Sequence, residues 1–254
     1  MIGKLFFLVL MVATSAHAAS DRQPPPPGAF IGAPAQYTKF TTHELTRGFL
    51  ALAFGSDLRL GARPKGIRRF DRDITAFVSS DASIDRKAAM EKIIAEYGTV
   101  TPNLKISPAA NEDDADLVVH LIEEAKFKSA LIDAFGAGIA ETFVRRTDPQ
   151  CMTSVKSRGD GVILRSVSFV IADQGDKIFL DCAYHEMLHA LGLSNHDQAN
   201  PWTTLNQRRM VGYLTVYDRA LLTLLYDPGI QAGMSRRDVQ RALPTLIAEI
   251  QSRK

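Results

Sequence analysis

The chain has 254 residues, of which 46% are hydrophobic, so it can bury a core without depending on cross-links or a structural metal. Its formal net charge of +2 gives no strongly basic field of the kind that attracts nucleic acid or an anionic membrane surface. The composition therefore favours one enzyme-sized domain and excludes partners that are held by strong positive charge.

The N-terminus has the pattern of a signal peptide over residues 1–18. Lys4 precedes an apolar run from Leu5 to Ala13 that is too short to span a bilayer, and Ala16-His17-Ala18 forms a small-x-small cleavage site. We therefore expect export to the periplasm or the medium after cleavage, with no membrane anchor.

A flexible spacer and one folded domain are predicted to follow the leader. Residues 19–36 include four consecutive prolines and favour an extended chain, which leaves residues 37–254 for the domain. The first half of the domain is predicted to contain, in chain order, a helix over Thr41–Phe54, a strand over Gly66–Val78, a helix over Asp81–Tyr97, and strands over Leu104–Ser107 and Asp116–Ile122. The next segment, Ser129–Val144, is compatible with either a helix or a flexible loop.

Two polar features of this half have a structural interpretation. His120 lies in an apolar strand with no second donor at metal spacing, so a hydrogen-bonded core histidine is favoured over a metal ligand. The basic group of Arg63, Lys65, Arg68 and Arg69 favours a solvated entrance to a strand, with an anionic ligand as the alternative.

A further strand is predicted over Gly161–Ala172, which is rich in β-branched and aromatic residues. Its second half, Val167–Ile171, is expected to be an edge strand that aligns an extended peptide through main-chain hydrogen bonds.

Cys151 and Cys182 flank this strand. In an oxidising compartment we expect them to form a disulfide, which would close a loop of about 30 residues and contribute roughly 3 to 4 kcal/mol of stability. A metal-binding thiolate or two free buried thiols are the alternatives.

The segment His185-Glu186-Met187-Leu188-His189 has the pattern of a catalytic zinc site. On a helix the two imidazoles lie one turn apart on one face and can hold Zn²⁺ while a position stays open for water, whose pKa the metal lowers toward about 7. Glu186 would then take the proton of that water as general base.

The extended segment resembles the metzincin metallopeptidases, in which the same motif is followed by a glycine and a third ligand. Gly192 matches the glycine, and Asn195 stands where the third ligand would be expected. Because amides are poor zinc ligands, we expect His196 to be the third ligand, with Asp197 or a later residue as alternatives. The resemblance implies an α+β, metzincin-like fold with a mixed twisted sheet, an active-site helix and a mainly helical C-terminal part.

Two features further along extend this resemblance. Leu214–Asp227 is similar to the C-terminal helix of matrixin-type enzymes, and a last helix is predicted over Ser235–Gln251. Met210 is the only methionine placed to serve in a methionine-bearing turn.

A closer resemblance is to a bacterial exported family known as domain of unknown function 2927. It is carried by three segments: Arg47-Gly-Phe-Leu-x-Leu-x-Phe-Gly55, Cys182-x-x-x-Glu186-x-x-x-x-Leu191-Gly-Leu-x-Asn195, and Tyr226-Asp-Pro-Gly-Ile-Gln-Ala-Gly-Met234.

These observations predict an exported zinc metallopeptidase of the endopeptidase type that acts on peptides or proteins. Tyr213 and Tyr217 are candidate donors to the developing oxyanion, although a packing role is favoured for both. One alternative is a catalytically silent protein that binds zinc or a cell-envelope partner, as relatives without the complete histidine pair suggest. Another is hydrolysis of an amide in peptidoglycan or in a small molecule.

Overall fold

A five-stranded sheet organises the fold in the computed structural model, which describes residues 40–55, 64–147 and 149–252. The predicted leader, the spacer and Arg63 lie outside these residues. The strands are β1 (Ile74–Ser80), β2 (Ile106–Pro108), β3 (Leu117–Ile122), β4 (Cys151–Ser157) and β5 (Ile163–Ile171), in the order β2-β1-β3-β5-β4. All neighbours pair in parallel except β4, which runs antiparallel to β5.

Seven helices surround the sheet in the described part of the chain. They are α1 (Thr42–Phe54), α2 (Lys87–Val100), α3 (Glu124–Phe135), α4 (Ala137–Thr147), α5 (Asp176–Ala190), α6 (Val216–Leu225) and α7 (Arg236–Ser252). In the described chain the elements after β5 are all helices, so the predicted α+β class with a mixed sheet and a helical C-terminal part is confirmed. None of these described helices has the length and apolar character needed to span a bilayer.

The predicted strand over residues 66–78 is confirmed only in its second part, because regular strand pairing begins at Ile74. The preceding residues hydrogen-bond to loops instead of a strand: the amide of Ile67 donates to Met234 and that of Arg69 to Gly161. Arg69 is also buried rather than solvated, and its guanidinium donates to four carbonyl oxygens, those of Phe70, Leu225, Asp227 and Ile230.

Two other elements differ from the sequence prediction. The ambiguous segment 129–144 lies in two helices, α3 and α4, which are separated by Gly136 in a left-handed conformation with φ +83°. The strand β4 was not predicted at all, and it occupies the edge of the sheet. The prediction that Val167–Ile171 forms an edge is therefore wrong, since β5 pairs with β3 on one side and β4 on the other.

The two faces of β5 pack against different layers. Ser166 and Ser168 are fully buried and face helix α5, where the hydroxyl of Ser166 donates to the carbonyl of Ala190 at 2.7 Å. Phe169 and Ile171 project to the opposite face and belong to a second apolar cluster with α3 and α4. This alternation places α5 close to one face of the sheet at its β4 edge.

The predicted disulfide between Cys151 and Cys182 joins β4 directly to α5. Replacing both cysteines with alanine is expected to lower the free energy of unfolding by about 3 to 4 kcal/mol, because the bond closes a loop with a sequence separation of 31. Denaturant unfolding of the double variant and of the parent chain measures this. A change below about 1 kcal/mol would show that the reduced chain is already constrained there.

Candidate metal centre

Helix α5 presents the two histidines of the motif on one face, and its position is fixed from the sheet side. Besides the bond from Ser166, the hydroxyl of Thr153 on β4 donates to the carbonyl of Glu186 at 3.3 Å. His185 and His189 therefore lie beside the edge strand, near the end of a helix that cannot easily slide along the sheet.

Gly192 turns the chain back toward this face of the helix. Its φ of +117° is unfavourable for any residue with a Cβ atom, and an added Cβ would lie 2.1 Å from the carbonyl oxygen of Arg68. The turn allows residues 193–196 to return along the helix, and His196 thereby reaches the two motif histidines.

Replacing Gly192 with alanine is expected to lower the free energy of unfolding by about 2 kcal/mol or more, through backbone strain and the clash with Arg68. Denaturant unfolding gives the value. Gly159→Ala is the matched control, because a Cβ there meets nothing within 4 Å. Equal stability of the two variants would contradict a special role for this turn.

Three imidazole nitrogens converge in the resulting cluster. The Nε2 atoms of His185 and His189 are 3.0 Å apart, those of His185 and His196 are 2.9 Å apart, and those of His189 and His196 are 3.2 Å apart. These separations are close to the roughly 3.3 Å edge of a tetrahedron whose centre lies about 2.0 to 2.1 Å from each nitrogen. No other group of three potential ligands was found among the described residues.

The hydrogen bonds of the Nδ1 atoms determine which ring nitrogens have a lone pair available for a metal. Nδ1 of His185 lies 3.2 Å from the carbonyl oxygen of Thr204, and Nδ1 of His189 lies 2.6 Å from that of Leu193. A carbonyl oxygen only accepts, so both Nδ1 atoms carry hydrogen and both Nε2 atoms present lone pairs. Two lone pairs facing each other at 3.0 Å cannot form a hydrogen bond. A cation between them would satisfy both, so these residues fit a bound metal ion.

Burial keeps these rings neutral. It lowers the pKa of His185 to about 3, with a further contribution from the nearby His189. It also lowers the pKa of His189 to about 4, and the positive charge of Arg68 contributes to that shift. The pKa of His196 is lowered by burial and by the two other histidines. All three rings are therefore in the form that binds metal at neutral pH.

Asn195, at the position expected for the third ligand, and the alternative ligand Asp197 both lie outside the cluster. The side-chain amide of Asn195 donates to the carbonyl of Ala51 at 3.0 Å, and its backbone amide donates to Leu52, so this residue ties the loop to helix α1. Asp197 donates its backbone amide to Leu205 and is not part of the cluster. The structure thus brings His196 to the motif histidines.

Glu186 lies in the same cavity as the cluster and is 4% exposed. Its Oε2 is buried without a hydrogen-bond partner among the described residues. Burial raises the pKa of this carboxyl to about 8, and the negative charge of Asp181 contributes to the shift. An orphaned buried carboxyl oxygen is costly, and a neighbouring cation or a water would offset that cost.

A buried hydrogen-bond network supports the carbonyl that contacts His185. Asp218 is fully buried and accepts from the backbone amide of Thr204 at 2.8 Å and from the hydroxyls of Thr203 and Thr215 at 2.6 and 2.8 Å. This role of Asp218 was not predicted from the sequence. The cap pattern from Thr215 to Asp218 was a signal for the helix start, but nothing local linked it to residues 203–204.

A cavity of about 1020 Å³ opens in front of the cluster. One wall is the edge strand β4, represented by Met152 and Ser154. A second is apolar and comes from α3 and α4, through Phe135, Ile139 and Phe143. Three arginines, Arg68, Arg208 and Arg209, also line it.

The remaining candidate residues differ in their contacts. The hydroxyl of Tyr217 donates to the carbonyl of Glu44 on α1, and Tyr213 is buried and is not among the described residues that line the cavity. Met210 lines the cavity. His120 hydrogen-bonds to Ser79 at 2.7 Å and stacks on an aromatic ring, as predicted for a structural histidine.

Fold and site together define a mixed α+β protein whose three-histidine cluster faces the same cavity as its edge strand. Comparison with known families shows a match to the family described as "Protein of unknown function (DUF2927)" over residues 42–245, which is most of the chain. The chain therefore belongs to this family. Searches of the curated proteins and of the solved structures gave no match.

Proposed function

We propose that this chain is an exported zinc-dependent peptidase in which His185, His189 and His196 hold the metal and Glu186 is the general base. The observation that carries the proposal is the convergence of three neutral imidazole nitrogens within 3.2 Å of one another, beside a buried carboxyl group without a partner. A bound zinc ion would supply Lewis acidity, lowering the pKa of a water molecule and polarising a substrate carbonyl.

Glu186 performs the proton transfers of peptide hydrolysis in this proposal. Its carboxylate accepts a proton from the attacking water as the oxygen bonds to the carbonyl carbon, and it later gives that proton to the nitrogen as the C–N bond breaks. A divalent cation held nearby favours the ionised carboxylate, which counteracts the effect of burial on its pKa.

The walls of the cavity suit an extended peptide. The outer edge of β4 has no strand partner among the described residues, so its main chain is free to align a substrate by β-pairing, the role that was first expected of β5. On the α3–α4 wall, Ile139 is 50% exposed although it is a large apolar residue. That wall supports binding of an apolar substrate side chain.

The direct test is zinc content combined with hydrolysis of casein and a capped peptide library by the purified chain. One zinc per chain together with cleavage supports the proposal. One zinc without cleavage of any peptide favours the alternative, a zinc-binding or cell-envelope interaction protein. Cleavage restricted to muropeptides would redirect the proposal to a peptidoglycan amide, since the same site chemistry hydrolyses either bond.

A further inference from the structure

Arg68 is a charged residue of the cavity that has no role in the proposed mechanism. Its backbone is held between other segments: the flanking Ile67 accepts from the amide of Gly233, and the flanking Arg69 pairs with Gly161. Its own carbonyl lies against Gly192 in the turn that delivers His196. The position of Arg68 beside the metal cluster is therefore set by the fold.

Neighbouring arginines have opposite environments. The guanidinium of Arg69 points away from the cavity and donates to backbone carbonyls, and it lies 4.8 Å from the centroid of the Tyr226 ring. Arg68 lines the cavity, and its Nε is buried without a hydrogen-bond partner among the described residues. Burial lowers the pKa of Arg68, and no carboxylate of the described chain opposes that shift, whereas Asp227 and Asp71 do so for Arg69.

The other charged residues of the cavity do not neutralise Arg68. Arg208 and Arg209 contribute positive charge to the lining. The acidic residues in the described lining are Glu186, assigned above to proton transfer, and Asp181, whose carboxylate accepts from the amide of Val211 at 2.5 Å. Burial raises the pKa of Asp181 to about 6. Among the described residues, the cavity therefore contains a partly buried cation without a protein counter-ion, and a bound ligand could supply the complementary charge.

We infer that Arg68 binds a carboxylate of the substrate, so that the site selects acidic peptides. This rests on the proposed peptidase function and specifies its substrate class. A guanidinium presents a planar fork of donors that matches a carboxylate in two parallel hydrogen bonds. The carboxylate comes either from an acidic side chain or from the C-terminus of the peptide, and both offer the same chemistry.

Peptide affinity measured by calorimetry tests this inference. The probes are Ala/Phe peptides with both ends capped that carry one Glu at successive positions, their Gln counterparts, and Gln peptides with a free C-terminal carboxylate. The protein carries Glu186→Gln, which prevents turnover, and is used both zinc-loaded and after chelation. We expect at least one carboxylate peptide to bind about tenfold more tightly than its neutral counterpart, with the register of the best peptide identifying the source.

Arg68 variants that also carry Glu186→Gln test whether Arg68 causes the preference for carboxylate peptides. Arg68→Gln is expected to abolish the preference, Arg68→Lys to retain part of it, and Arg237→Gln, which removes an exposed arginine on α7, to leave it unchanged. Equal binding of acidic and neutral peptides, or a preference that survives Arg68→Gln, would overturn the inference.

Cleavage of the same peptides by the parent chain reports separately on the proposed function. An Arg68-dependent preference without cleavage would support acidic-ligand recognition and contradict the peptidase proposal. Cleavage without such a preference would support the peptidase proposal and contradict acidic-ligand recognition.

Discussion

Alanine in place of His196 is expected to abolish tight zinc binding. The variant leaves only two of three converging nitrogens, and the loss should exceed the roughly 10–100-fold drop in affinity that removal of an outer hydrogen-bond partner causes. The same result is expected for His185→Ala and His189→Ala. Competition titration with a chromophoric chelator measures the affinities, and metal analysis gives the number of ions per chain.

Thermal unfolding provides an independent measurement for the same variants. A ligand that binds only the folded state stabilises it by about 2.7 kcal/mol at a free concentration 100 times its Kd, so added zinc should raise the Tm of the parent chain and not that of the variants. His43→Ala is the matched control, because it removes an exposed imidazole at the start of α1. If His196→Ala binds zinc as tightly as the parent while His189→Ala does not, the third ligand is another residue, with Asp197 the nearest candidate.

Local sequence patterns predicted most of the cluster. The spacing of His185 and His189 follows from the helical repeat, and the helix is present over both positions. The position of His196 is harder to predict from the sequence. Its approach to the other two histidines depends on the left-handed turn at Gly192 and on the packing of Arg68 against that turn. The expected position of the third ligand is instead occupied by Asn195, which the packing of α1 requires. That contact joins residues 144 positions apart, so no local pattern could reveal it.

The errors at the sheet edge have a related cause. β4 contains Thr, Ser and Lys and is partly exposed along its whole length, so it lacks the apolar pattern of a buried strand. β5 has that pattern because it lies between two strands and two layers, and the sequence could not show which side was covered. Arg69 was likewise assigned to solvent, since three of its carbonyl acceptors are supplied by residues 225–230, far along the chain.

The second large effect is expected from Glu186→Gln. The amide preserves the volume of the side chain but cannot take a proton from water, so hydrolysis should fall by about 10²- to 10⁴-fold while zinc content stays at one per chain. Initial rates on the best capped peptide, with the zinc content of the same sample, separate lost chemistry from lost metal. Glu91→Gln, which removes an exposed carboxylate on α2, should leave both unchanged.

The size of the fall in hydrolysis rate caused by Glu186→Gln distinguishes a catalytic role of this carboxyl group from a structural one. Glu186 is buried, and its Oε2 has no protein partner in the described chain, so a purely structural carboxyl would be an unfavourable choice at this position. If it were structural all the same, the neutral amide would leave the rate within a few fold of the parent chain and would change mainly the free energy of unfolding. A base that transfers the proton gives the opposite pattern, a large fall in kcat with little change in stability, because the amide fills the same space.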